Sequence, residues 1–118
     1  MPKTAELDEL IAEITVDCHD EDEQLSGFLV AFTDQVEPPL DANLLDITVQ
    51  VLGFDLPGRS ATIVARCRHG RSTGEISLAD LTFPPGSVAA WLHAAYRRFL
   101  LLKPRPATKP TGWTLSWQ

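Results

Sequence analysis

The sequence predicts an α+β domain: a small antiparallel, SH3-like bent sheet or barrel, flanked by two N-terminal helices and one C-terminal helix. Three observations predict it. Apolar residues recur at helical spacing toward both ends of the chain. Between them, β-branched residues alternate with polar ones. Clusters of Gly, Pro and Asp separate these runs. The chain has 118 residues, 44% of them hydrophobic, which is enough apolar material for one modest core. Residues 1–103 read as a single domain, and 104–118 as a Pro-rich segment with an extended C-terminal tail.

The first helix opens after Pro2-Lys3, with Thr4 as its expected N-cap. Leu7, Leu10, Ile11 and Ile14 fall on one helical face. Thr15-Val16 are β-branched and weaken the helix, which should end or bend near Asp17. A second helix starts at Asp20. Asp20 and Glu23 have the spacing of a capping box. Leu25, Phe28, Leu29, Phe32 and Val36 form its buried stripe. Gly27 costs about 1 kcal/mol relative to Ala inside a helix, so a close contact with another backbone is expected there. Pro38-Pro39 ends the helix.

Strands follow. Ile47 to Val51 alternates and Leu52-Gly53-Phe54 continues it. Asp55-Leu56-Pro57-Gly58 is turn material. Ile63, Ala65 and Cys67 alternate with Val64, Arg66 and Arg68, and Arg68 to Ser72 reads as a hairpin connection. Glu75 to Leu78 is a further short strand. After Pro84-Pro85-Gly86, Ser87 caps a third helix whose apolar face is Val88, Trp91, Leu92, Ala95 and Phe99, with Tyr96 beside it. Lys103 to Thr111 should be extended. Trp113 to Trp117 alternates as a last strand would.

The net charge is −6, unevenly spread. Residues 1–58 hold fourteen acids and one base; residues 59–118 hold two acids and nine bases. The fold either separates an acidic face from a basic one or packs the halves so that they neutralise each other. No apolar run reaches the ~20 residues of a membrane span. No basic region followed by an apolar stretch marks a secretory signal, and Cys18 and Cys67 are too few for a disulfide framework. A cytoplasmic location is expected.

The densest polar feature is Asp17-Cys18-His19-Asp20-Glu21-Asp22-Glu23. Calcium takes about six to eight oxygen donors. Asp17 with Glu21, or Asp20 with Glu23, could converge on one ion from a helical turn. Acids at a helix N-terminus also stabilise the macrodipole without any ion. An EF-hand is excluded: a loop starting at Asp20 puts Leu25 at its glycine position and Ala31 at its bidentate glutamate.

The run Glu13-Ile14-Thr15-Val16-Asp17, then Asp20 to Gln24, then Gly27-Phe28, resembles the opening of the CcbP-type calcium-binding protein family. Pro38-Pro39, Val49, Val51, Gly53, Ala65, Cys67, Gly70, Trp91 and Tyr96 extend the resemblance across roughly Leu10 to Phe99. Cys18-His19 and Leu40 depart from the pattern without removing an acid. The resemblance implies a compact, non-enzymatic calcium-binding domain, a buffer or sensor. It carries Ca²⁺ ligation to Asp17, Asp20, Glu21, Asp22 and Glu23.

Other chemistries are weaker. Cys18-His19 and Cys67-x-His69 lack zinc-finger spacing. Cys67 shares its strand face with Ile63 and Ala65 and should be core. Acids beside Cys18 should raise its pKa, which works against a reactive thiolate. No nucleophile elbow, phosphate loop or H-E-x-x-H motif is present, so no enzyme is expected. Arg66, Arg68, Arg71, Arg97, Arg98, Lys103 and Arg105 could form a basic patch, but no aromatic alternates with the arginines, which argues against nucleic acid. The alternative function is a protein–protein interaction module using the basic strand face and the tail. Trp113, Leu115 and Trp117 would then meet a protein partner or a second copy, unless they fold back as an edge strand.

Overall fold

The computed structural model describes residues 4–58 and 62–115. Helices α1 (Thr4–Ile14) and α2 (Glu21–Gln35) come first. Strands β1 (Leu40–Leu44), β2 (Ile47–Asp55), β3 (Val64–His69) and β4 (Ser72–Ser77) follow, then a 3₁₀ turn (Leu78–Asp80) and α3 (Val88–Phe99). The α+β class is as the sequence predicts.

Leu7, Leu10 and Ile14 of α1 are buried on one face. Thr4 is already helical. The helix unwinds over the β-branched pair, and Asp17 turns the chain with a left-handed φ of 64°. Asp20 caps α2 by accepting from the Glu23 N–H at 2.8 Å. The Glu23 carboxylate reaches back to the His19 N–H at 3.2 Å, one residue earlier than in the usual capping box. Gly27 fits the expectation of a close backbone contact. A Cβ there would sit 2.8 Å from the Ile14 carbonyl oxygen, so glycine lets α2 cross the end of α1.

The strands form one antiparallel meander in the order β1-β2-β3-β4. One extra residue at Leu52, between Val51 and Gly53, bulges β2 and bends the sheet. The sheet is not closed into a barrel: among the described residues β4 pairs with β3 alone. Four strands are too few to enclose a side-chain-filled interior. Helices fill the concave side instead, with Phe32 of α2 against Phe54 of β2 at 5.2 Å between ring centres. The free side of β1 is met by Thr82, which exchanges backbone hydrogen bonds with Asn43 at 2.8 and 2.9 Å.

β1 has no counterpart in the sequence reading. Its hairpin turns on Leu45 and Asp46, both with positive φ, 48° and 67°. That is the type I′ geometry usually signalled by Asn-Gly or Asp-Gly, and Leu-Asp carries no such signal. By contrast, Gly70 sits at φ 61° in the predicted β3–β4 connection.

Helix α3 is the centre of the molecule. Every residue from Ala89 to Tyr96 is buried. Ser87 caps it, accepting from the Ala90 N–H at 3.1 Å. Ala95 is buried as the predicted stripe has it, and alanines at 89, 90 and 94 supply close-packing faces that the stripe omitted. Tyr96 is fully buried rather than beside the stripe, and its hydroxyl accepts from the Ile63 N–H at 3.0 Å.

After α3 the chain folds back along the helices. Arg97 donates to the Lys103 carbonyl at 2.7 Å and to the Ala79 carbonyl at 2.6 Å. Thr108 N–H reaches the Pro85 carbonyl at 2.9 Å, and Ala107 is buried. Trp113 Nε1 donates to Gln35 Oε1 at 3.3 Å. Trp113 and Leu115 are half-buried and lie outside any strand, over α1 rather than on the sheet. The remainder of the expected strand, including Trp117, lies outside the described residues.

Candidate functional site

The α1–α2 junction is built by a left-handed turn and a helix cap. Asp17 stands on the turn and Asp20 at the cap; Glu21, Asp22 and Glu23 occupy the first turn of α2. All five side chains are exposed. The local logic is electrostatic, since acids at this end face the positive pole of the helix. Asp20, Asp22 and Glu23 line one open recess, together with Ser26 and the Leu56–Gly58 part of the β2–β3 loop. The sequence reading named the acids but missed the far wall; the Asp55–Gly58 turn motif was the available signal.

The expected convergence on a single ion is not preformed. Among the described residues, no three His, Cys, Asp or Glu side chains gather closely enough to hold a metal. Two reasons are visible. Asp20 and Glu23 each commit one oxygen to capping. Like charges in water also stay apart when nothing between them neutralises the repulsion. Glu21 and Asp22 stand on the same exposed turn but line different recesses, Asp22 the one with Asp20 and Glu23, and Glu21 one with Gln24 and Phe99.

Cys18 lies at the centre of this segment. Its thiol is pushed above the ordinary range, first by burial and then by the charges of Glu23, Asp17 and Asp20. The acids act as expected, but burial is the larger cause. The S–H donates to the Glu23 carbonyl at 3.4 Å. Such a thiol is a poor nucleophile. Cys67 is buried in the core, as its strand face predicts, and burial raises its pKa too. His93 is also enclosed. Its Nε2–H donates to the Leu78 carbonyl at 2.7 Å, which fixes the tautomer. Burial, helped by Arg97 and Arg105, lowers its pKa to about 4 against the hydrogen bond's opposing pull.

No family model, curated protein or solved structure matches the chain. Among the described residues, no helix is long and apolar enough to cross a membrane.

The predicted basic strand face exists in part. Arg66 and Arg68 are exposed on the outer side of the sheet, and Arg68 donates to Gln50 on β2. Glu75 lies opposite Arg66 on β4, so the face is mixed in sign. Arg98 is drawn away to α1, where it pairs with Asp8 through two hydrogen bonds of 2.6 and 3.1 Å. Lys109 and Trp113 line a small recess with Glu6, Glu9 and Glu13 of α1. The acidic and basic halves therefore meet across the helices.

Proposed function

We propose that this chain is a non-enzymatic calcium-binding domain that takes its ion at the α1–α2 junction, through Asp17, Asp20, Glu21, Asp22 and Glu23. The observation that carries the reading is the recess in which Asp20, Asp22 and Glu23 face the Leu56–Gly58 loop. Each capping bond uses one carboxylate oxygen, and a carboxylate has two with which to accept. The CcbP-type resemblance of the same residues supports it. Because the carboxylates stand apart before the ion arrives, binding has to draw them together against their repulsion. The affinity then belongs at the weak end of the calcium range, on the order of 10⁻⁴ M or weaker.

Calorimetric titration of chelator-treated protein tests this. Binding heat at sub-millimolar calcium is expected, and Asp20→Asn with Asp22→Asn, two of the acids that line the recess, should abolish it. Asn caps a helix as well as Asp, so that variant removes charge without removing the cap. Silence up to about 5 mM calcium, beyond the weakest calcium modules, would sink the proposal.

A second reading, an interaction module, is favoured by the exposure of Arg66 and Arg68 on one sheet face. The tail gives it less support, because Trp113 and Leu115 are engaged within the chain.

A further inference from the structure

The two edges of the sheet are treated differently. The β1 edge is met by Thr82. The β4 edge, among the described residues, has no partner strand. Natural sheets blunt such edges with Pro, Lys, bulges or inward charges. β4 reads Ser-Thr-Gly-Glu-Ile-Ser: it has no Pro, Lys, bulge or inward charge, and its one charge, Glu75, stands on the outer face. Residues Ser72 to Glu75 are all exposed.

The register shows which backbone groups are open. His69 and Ser72 flank the two-residue Gly70-Arg71 turn and therefore form a hydrogen-bonded pair. Gly74 and Ile76 share the parity of Ser72 and also face β3. The parity continues past the strand, where the Leu78 N–H donates to the Ile63 carbonyl at 3.0 Å. The backbone groups of Thr73, Glu75 and Ser77 consequently point away from the sheet. Their side chains stand on its outer face, with Arg66 and Arg68.

We propose that β4 pairs antiparallel with β4 of a second copy about a two-fold axis at Thr73, joining two four-stranded sheets into one of eight. Charge complementarity selects both the occupant and the register. With Thr73 opposite Thr73, Arg71 of each copy lies opposite Glu75 of the other, so the axis makes two opposite-charge pairs. Neither Arg71 nor Glu75 has a hydrogen-bond or ion-pair partner among the described residues. A register centred on Glu75 would set two glutamates against each other, which is destabilising. A Thr–Thr pair at the axis suits a pleated surface. The outward N–H and C=O groups of Thr73 bond reciprocally in this register, as an isologous contact requires. The contact is polar and small, so the dimer is a weak, reversible one. It is independent of the calcium reading, since it uses no residue of the acidic junction.

Sedimentation velocity at low salt, with protein up to about 1 mM, tests the inference. Reversible dimers that weaken with added salt are expected. Glu75→Arg alone, or Arg71→Glu alone, should weaken association by about tenfold or more, because like charges then oppose across the axis. Combining Arg71→Glu with Glu75→Arg should restore it. Both positions are exposed, but Glu75→Arg also faces Arg66 within the sheet, so circular dichroism checks each fold and Arg71→Glu, which faces no β3 charge, decides if Glu75→Arg unfolds. Thr73→Pro removes an outward N–H that no internal bond uses, and should also abolish pairing. Should the proline variant misfold, the charge swap decides. A wild-type chain that stays monomeric at the highest concentration overturns the inference. So does a dimer indifferent to the single charge reversals, or a double swap that fails to rescue.

Discussion

Helix α3 and the α1–α2 junction lie in the same small molecule and obey different physics. In α3, eight consecutive residues are buried and two polar groups are held by named partners: Tyr96 by the Ile63 N–H and the Thr62 side chain, and His93 by the Leu78 carbonyl. At the junction, five carboxylates face water, and Asp20 and Glu23 hold the start of the helix through capping bonds. Enclosure makes a polar group's position over-determined, because a lost partner leaves an unsatisfied atom behind. Exposure leaves water to replace any partner, so charges remain where the backbone puts them. The first arrangement stabilises a core; the second stabilises the start of a helix.

The largest way to sharpen this contrast is pH. His93 has its folded pKa lowered to about 4 from 6.5. The folded state resists protonation, so its contribution is complete above pH 6.5 and is lost as pH falls toward 4. Urea titrations across that window should show stability dropping by on the order of 3 kcal/mol, with His93→Gln flattening the dependence. An unchanged slope in that variant would show that another group dominates.

Gly27→Ala follows. The helix-propensity gain is about 1 kcal/mol, but the new methyl meets a backbone oxygen that has little room to move. A net loss of about 2 kcal/mol is expected by thermal or urea unfolding, and a gain would refute the close-contact account. Tyr96→Phe strands the Ile63 N–H and should cost about 1–2 kcal/mol by the same measurement. The smallest effect belongs to the junction. Asp20→Ala removes the α2 cap and should cost about 1 kcal/mol. A cost equal to that of the buried variants would dissolve the distinction between the two regions.

The helices were legible in the chain because their signals are local. Apolar spacing marked Leu7, Leu10 and Ile14, and Asp20, Glu23 and Ser87 marked two starts. Gly27 was legible as an anomaly. β1 was not, because its turn uses Leu45-Asp46 in a conformation those residues rarely adopt. The five acids were legible as residues and not as an arrangement. Their spacing along one turn says nothing about the Leu56–Gly58 wall that arrives from another part of the chain.

The sequence by itself determined the α+β class, the caps of α2 and α3, the turn at Gly70 and the burial of Cys67, since each depends on residues within a few positions of one another. Tertiary structure decided that the sheet stays open, that α3 is enclosed from Ala89 to Tyr96, and that the described part of the tail, Trp113 and Leu115, lies over α1 outside any strand. It also left β4, among the described residues, with an unpaired edge. These outcomes depend on which distant surfaces reach each other first and fill the space. Side-chain periodicity has no means of encoding a partner that arrives from forty or eighty residues away, and long-range packing supplies it.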